Sequence, residues 1–68
     1  MTRVRVNGVE EEMAVATVSE LLAARGIDPT ARFVAVAING SVVRRSEWVA
    51  TPLAPGDDIE IVRPLSGG

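Results

Sequence analysis

The groups in this chain that could do chemistry are few. Nine carboxylates, a handful of hydroxyls and the two chain ends make up the set, because the 68-residue sequence has no cysteine, histidine or tyrosine and all seven basic residues are arginine. Disulfides and zinc sites of the usual kind are therefore excluded within the chain. So are cysteine nucleophiles, Ser-His pairs, Schiff-base lysines and histidine proton shuttles. The run Glu10-Glu11-Glu12 alternates faces if it is a strand, so at most two of its members are near neighbours, and it reads as a solvated edge. Asp57 and Asp58 follow Pro55-Gly56, where turn chemistry accounts for an aspartate directly. A catalytic acid pair needs a concave pocket, for which a single small layer has little room.

The last six residues, Arg63-Pro64-Leu65-Ser66-Gly67-Gly68, are the other candidate. Pro64 lacks an amide donor and ends whatever strand precedes it. Extended, six residues reach roughly 20 Å, at about 3.3–3.6 Å each. A Gly-Gly end has no side chains, so it can thread a narrow channel in a partner and carry a carboxylate to its far end. The terminal carboxylate is then the reacting group, and the partner supplies the catalyst. The plain alternative is a frayed chain end.

A tail of this kind must be launched from a fold, and the sequence supplies one. Thr2-Arg3-Val4-Arg5-Val6 alternates with period two, which predicts a half-buried strand with Val4 and Val6 inward. Asn7-Gly8 is a hairpin turn, and residues 9–15 return. Thr17 with Glu20 three residues on is a capping box, and Val18, Leu21 and Leu22 make an apolar stripe. With Arg25 in the last turn and Gly26 as the stop, a helix is predicted over 18–25. Residues 33–38 form a continuous apolar run, as a central strand does, with Val34, Val36 and Ile38 toward the helix. Asn39-Gly40 is a second hairpin turn, leading into a strand over 41–44. The stretch 46–53 is irregular and contains Trp48, which is placed over one end of the core. Residues 58–62 alternate again, with Ile59 and Ile61 inward.

The order β-β-α-β-β-β, with the first and last strands parallel at the centre, is the β-grasp arrangement. The fold class is α+β: one mixed four- to five-stranded sheet curled around a single helix. Residues 1–62 are expected to form the domain, and 63–68 a flexible tail. By parity, Arg3, Arg5, Phe33, Ala35, Ala37, Glu60 and Val62 share the sheet face opposite the helix. One helix covers one face only, which leaves this mixed apolar and charged patch for a partner. A net charge of -2 gives no reason to expect nucleic acid. The longest apolar run is far too short to span a bilayer, and a cytoplasmic protein is expected.

Taken in order, these features resemble the sulfur-carrier proteins of thiamine biosynthesis, the ThiS family of the ubiquitin-like β-grasp group. The resemblance rests on Asn7-Gly8, on Thr17-Val18-Ser19-Glu20-Leu21-Leu22, and on Val34-Ala35-Val36-Ala37-Ile38-Asn39-Gly40. It continues through Arg45-Ser46-Glu47-Trp48, Leu53 with Pro55-Gly56-Asp57, Ile59-Glu60-Ile61-Val62 and the terminal Gly67-Gly68. It implies that an E1-like enzyme adenylates the Gly68 carboxylate with ATP and magnesium, which this chain does not itself bind. A persulfide sulfur donor then converts the adenylate to a thiocarboxylate, and thiazole synthase accepts the sulfur. Pro64, Leu65, Ser66 and Gly67 would thread the partner's active site. The chain would be a protein co-substrate and not an enzyme. The alternatives are the sulfur-carrying small subunit of molybdopterin synthase, a ubiquitin-like modifier joined to target lysines, and a plain interaction module.

Overall fold

The computed structural model describes residues 1–28 and 30–63. Strands β1 (Thr2–Val6) and β2 (Val9–Met13) precede helix α1 (Val18–Ala24). Strands β3 (Ala35–Ile38) and β4 (Ser41–Val43) follow, then a 3-10 turn over Arg45–Glu47 and strand β5 (Asp58–Val62). Among the described residues these strands make one five-stranded sheet in the order β2-β1-β5-β3-β4. β1 and β5 run parallel at its centre, with Arg5 opposite Asp58 and Val6 opposite Ile59. The other neighbours are antiparallel. This is the ubiquitin-like β-grasp fold. The parallel central pair follows from the long connection through α1, since a tight turn cannot join parallel strands.

Both ends of the helix are closed by hydrogen bonds. At its start, the Glu20 amide donates to Thr17 Oγ1 at 3.2 Å. The Val18 and Ser19 amides donate instead to the Thr51 and Trp48 carbonyls, each at 3.1 Å. The segment after the 3-10 turn thus accepts from amides that a helix start leaves without partners. Glu20 reaches back one residue further than a capping box requires, accepting from the Ala16 amide at 2.8 Å. At the other end Gly26 takes φ 73°, the Ile27 amide donates to Leu22 O at 2.9 Å, and the Gly26 amide to Ala23 O at 3.0 Å. This is a Schellman closure, and its apolar partner, Ile27, is buried.

The core lies between sheet and helix. Val4, Val6, Val36 and Ile59 come from the strands, Val18, Leu21 and Leu22 from α1, and Ile27, Trp48 and Leu53 close the sides. Each fully buried Leu or Val adds about 1.5–3 kcal/mol relative to exposure. Among the described residues none that is buried is polar or charged.

β1 and β5 have the predicted bounds, and the other elements are shorter than the patterns predicted. β2 ends at Met13, α1 at Ala24 and β4 at Val43. β3 begins at Ala35, because Phe33 has φ 66° and cannot continue a strand. Arg25 caps the helix, and its guanidinium pairs with Glu11. Glu11 opposes Val4 on the helix side of the sheet and is half-buried, so the acidic run is not uniformly a solvated edge.

Candidate functional site: the outer sheet face and the end of β5

Strand alternation sorts the sheet into two faces. Val4, Val6, Val36 and Ile59 point to the core, so Arg3, Arg5, Ala35, Ala37, Glu60 and Val62 point away from it. Register brings them together: Ala35 lies opposite Val62, and Ala37 opposite Glu60. Phe33 precedes β3, so strand parity does not govern it, a correction to its placement on the sheet face. It stands 77% exposed at the start of β3, the end of that strand beside Val62, where β5 stops.

The sequence reading missed four members of this face. Glu12 opposes Arg3 and Glu10 opposes Arg5 across the β1–β2 pair, Val42 opposes Ala37 on β4, and Asp58 flanks Arg5 on β5. The signal was available: the two-residue Asn7-Gly8 and Asn39-Gly40 turns fix the pairing of Glu10, Glu12 and Val42, and Asp58 shares the parity of Glu60 and Val62. The face is therefore divided. Toward β2 it carries Arg3, Arg5, Glu10, Glu12 and Asp58; toward β4 it carries Ala35, Ala37, Val42 and Val62. The Arg3 guanidinium meets Glu12 Oε1 at 2.6 Å. A surface depression of ≈ 380 Å³ is lined by Arg3, Arg5, Glu10, Pro55, Gly56 and Asp58.

Asp57, Asp28 and Glu12 are engaged structurally. Asp57 Oδ2 accepts from the Ala54 amide at 2.8 Å and its Oδ1 from the Asn39 carboxamide at 3.1 Å, which ties the turn before β5 to the turn after β3. The Thr30 amide and hydroxyl donate to Asp28, holding its carboxyl below the ordinary value. The Arg3 guanidinium does the same to Glu12, by hydrogen bond and by charge. Both stay anionic more firmly than usual, the opposite of what a general acid needs. Among the described residues no cluster of three acidic, histidine or cysteine side chains could hold a metal ion. No helix among them is long and apolar enough to cross a membrane.

β5 is the central strand, and Arg63 follows it directly. The tail residues Pro64, Leu65, Ser66, Gly67 and Gly68 lie outside the described residues. The face and the end of β5 thus meet at Val62, opposite Ala35 at the start of β3.

The family model of the ThiS family matches residues 3–68. The chain belongs to the ThiS family. Two solved structures similar to this ThiS-family chain come from Geobacter metallireducens: the crystal structure of its thiamine biosynthesis protein ThiS, and an NMR solution structure of a thiamine biosynthesis protein. Each is 33% identical and superposes with a TM-score of 0.77 over 98% of this chain, covering 100% of the crystallised chain and 88% of the other. No curated relative matches the sequence. The match of the ThiS family extends through Gly67 and Gly68, so the family resemblance is not confined to the packed domain.

Proposed function

We propose that this chain is a sulfur carrier of thiamine biosynthesis whose reacting group is the Gly68 carboxylate. The observation that carries the proposal is the family match, which runs from β1 to the final Gly-Gly. The reading requires Gly68 to bear the free carboxylate. A carboxylate is a poor acyl donor until its oxygen becomes part of a better leaving group. In the proposed sequence a Gly68 carboxylate oxygen attacks the α-phosphorus of ATP and pyrophosphate leaves. The terminal sulfur of a persulfide then attacks the acyl carbon and AMP leaves. A thiol cleaves the resulting acyl disulfide, which frees the thiocarboxylate for a thiazole synthase. Magnesium and the charge stabilisation for the phosphoryl step belong to the E1-like partner.

The chain contributes a reachable end and a surface for recognition. With no lysine or cysteine, no side-chain amine or thiol within the chain can capture an activated terminus. The outer sheet face, with Arg3, Arg5, Ala35, Ala37, Glu60 and Val62 joined by Phe33, is the docking surface in this proposal. Pro64, Leu65, Ser66 and Gly67 span from it to the partner's active site.

Incubation with an E1-like enzyme, ATP, magnesium and a persulfide donor should raise the intact mass by the difference between one sulfur and one oxygen. Deleting Gly68 should abolish that shift and leave cooperative unfolding unchanged. An unchanged mass with every such partner would reject the carrier role, and loss of cooperative unfolding in the deletion would make the terminus structural.

A further inference from the structure

Strand β5 is held against β1 by backbone bonds only as far as Ile59. The Arg5 amide donates to the Asp57 carbonyl and the Asn7 amide to the Ile59 carbonyl, each at 2.9 Å. The next step of a parallel ladder would use the carbonyl of residue 7 and the amide of a further β1 residue. Neither continues the strand, because Asn7 takes φ 50° and Gly8 φ 85° to make the hairpin turn. The Asn7 side chain stands in their place. Its Oδ1 accepts from the Ile61 amide at 2.9 Å, and its Nδ2 donates to the Ile61 carbonyl at 3.3 Å. A carboxamide has the acceptor and donor of a peptide group, so one side chain substitutes for one missing peptide. The period-two alternation that turns Ile59 toward β1 turns Ile61 the same way, so β3 cannot satisfy these two groups.

We infer that Asn7 is a positioning residue that latches the end of β5 and thereby fixes the point from which residues 63–68 leave the fold. The inference rests on the carrier reading for its functional consequence, and on geometry alone for the latch. Ile61 is separated from Arg63 only by Val62. Releasing Ile61 lets the end of β5 fray, which spreads the positions from which the reacting end can be presented. The partner then meets the reacting group in fewer productive arrangements.

Asn39 supplies the control. It also sits in an Asn-Gly turn, with φ 52°, and its side chain also clasps β5: Oδ1 accepts from the Asp58 amide at 3.0 Å. It acts at the start of the strand, away from the tail. Glycine keeps the left-handed turn conformation at either position while removing the carboxamide, so backbone strain does not confuse the comparison.

The test uses the full chain with Asn7→Gly and Asn39→Gly. In the free protein, amide hydrogen exchange at Ile61 should speed up about tenfold or more in Asn7→Gly and stay near wild type in Asn39→Gly. With an E1-like partner, ATP and magnesium, kcat/KM for pyrophosphate exchange should fall about tenfold in Asn7→Gly. It should hold within about twofold in Asn39→Gly, although both variants lower the melting temperature. Unchanged exchange at Ile61 overturns the latch. Faster exchange with unchanged adenylation, or equal loss of adenylation in both variants, overturns the positioning role. If the wild-type chain is not adenylated at all, it is the carrier reading that fails, and the exchange measurement still decides the latch.

Discussion

The indole N–H of Trp48 donates to the carbonyl of Val43 at 3.0 Å, joining the buried tryptophan to the end of β4. The Arg45 guanidinium lies over the same ring, 4.7 Å from its centroid, and also donates to the Ala31 carbonyl at 2.5 Å. The Trp48 carbonyl in turn accepts from Ser19 at the helix start. One residue thus ties the edge strand, the 3-10 turn and α1 together. Trp48→Ala should cost about 3–5 kcal/mol in urea unfolding, through lost burial and the cavity left behind. Trp48→Phe should cost less, about 1–3 kcal/mol, since the ring volume is partly kept but the donor to Val43 is lost. Equal costs for the two variants would show that ring burial contributes nothing and that the lost donor to Val43 accounts for the whole effect.

Phe33 is a bulky residue in the left-handed region with most of its surface in water. Local stability does not explain that combination, because the conformation costs about 1–2 kcal/mol for a residue bearing a Cβ. Phe33→Gly is therefore expected to raise unfolding stability by about 0.5–1 kcal/mol, the relief of strain exceeding the entropy glycine adds to the unfolded chain. If the ring serves the proposed partner, the same substitution weakens the complex by about tenfold in titration calorimetry, as an aromatic anchor would. A stabilised variant that binds as tightly as wild type would remove Phe33 from the docking surface.

The Arg3–Glu12 pair sets a pH dependence of known sign. Glu12 has a lowered folded-state pKa, so its contribution is present above the ordinary carboxyl value and is lost as pH falls through the lowered one. Acidification from neutral to pH ~3 should therefore lower the urea midpoint more in wild type than in Arg3→Gln. Both side chains are well exposed, so salt should shrink the difference, the screening length falling to about 3 Å at 1 M. A wild-type and variant pair that respond identically to acid would show the ion pair to be without effect on stability.

Much of the fold is legible from local pattern alone. Period-two alternation in β1 and β5, the Thr17–Glu20 cap, the Val18, Leu21, Leu22 stripe and the two Asn-Gly turns each act over a few residues, and each appears where its residues predict. The final Gly-Gly and the ordered run of family features are also properties of the chain itself. What depends on distant partners is not legible in this way. That β5 takes β3 as its second neighbour, that Val62 faces Ala35 and Glu60 faces Ala37, and that Glu11 turns inward to Arg25 are decided by the packed sheet. A one-residue slip would send each of these to the other face. The break at Phe33 belongs to the same class, since an apolar run carries no mark of a positive φ. The double role of the asparagines is the clearest case: sequence places Asn7 and Asn39 in turns, but only the packed sheet brings their carboxamides to the two ends of β5, because a hydrogen bond across 54 residues exists only once the chain has closed.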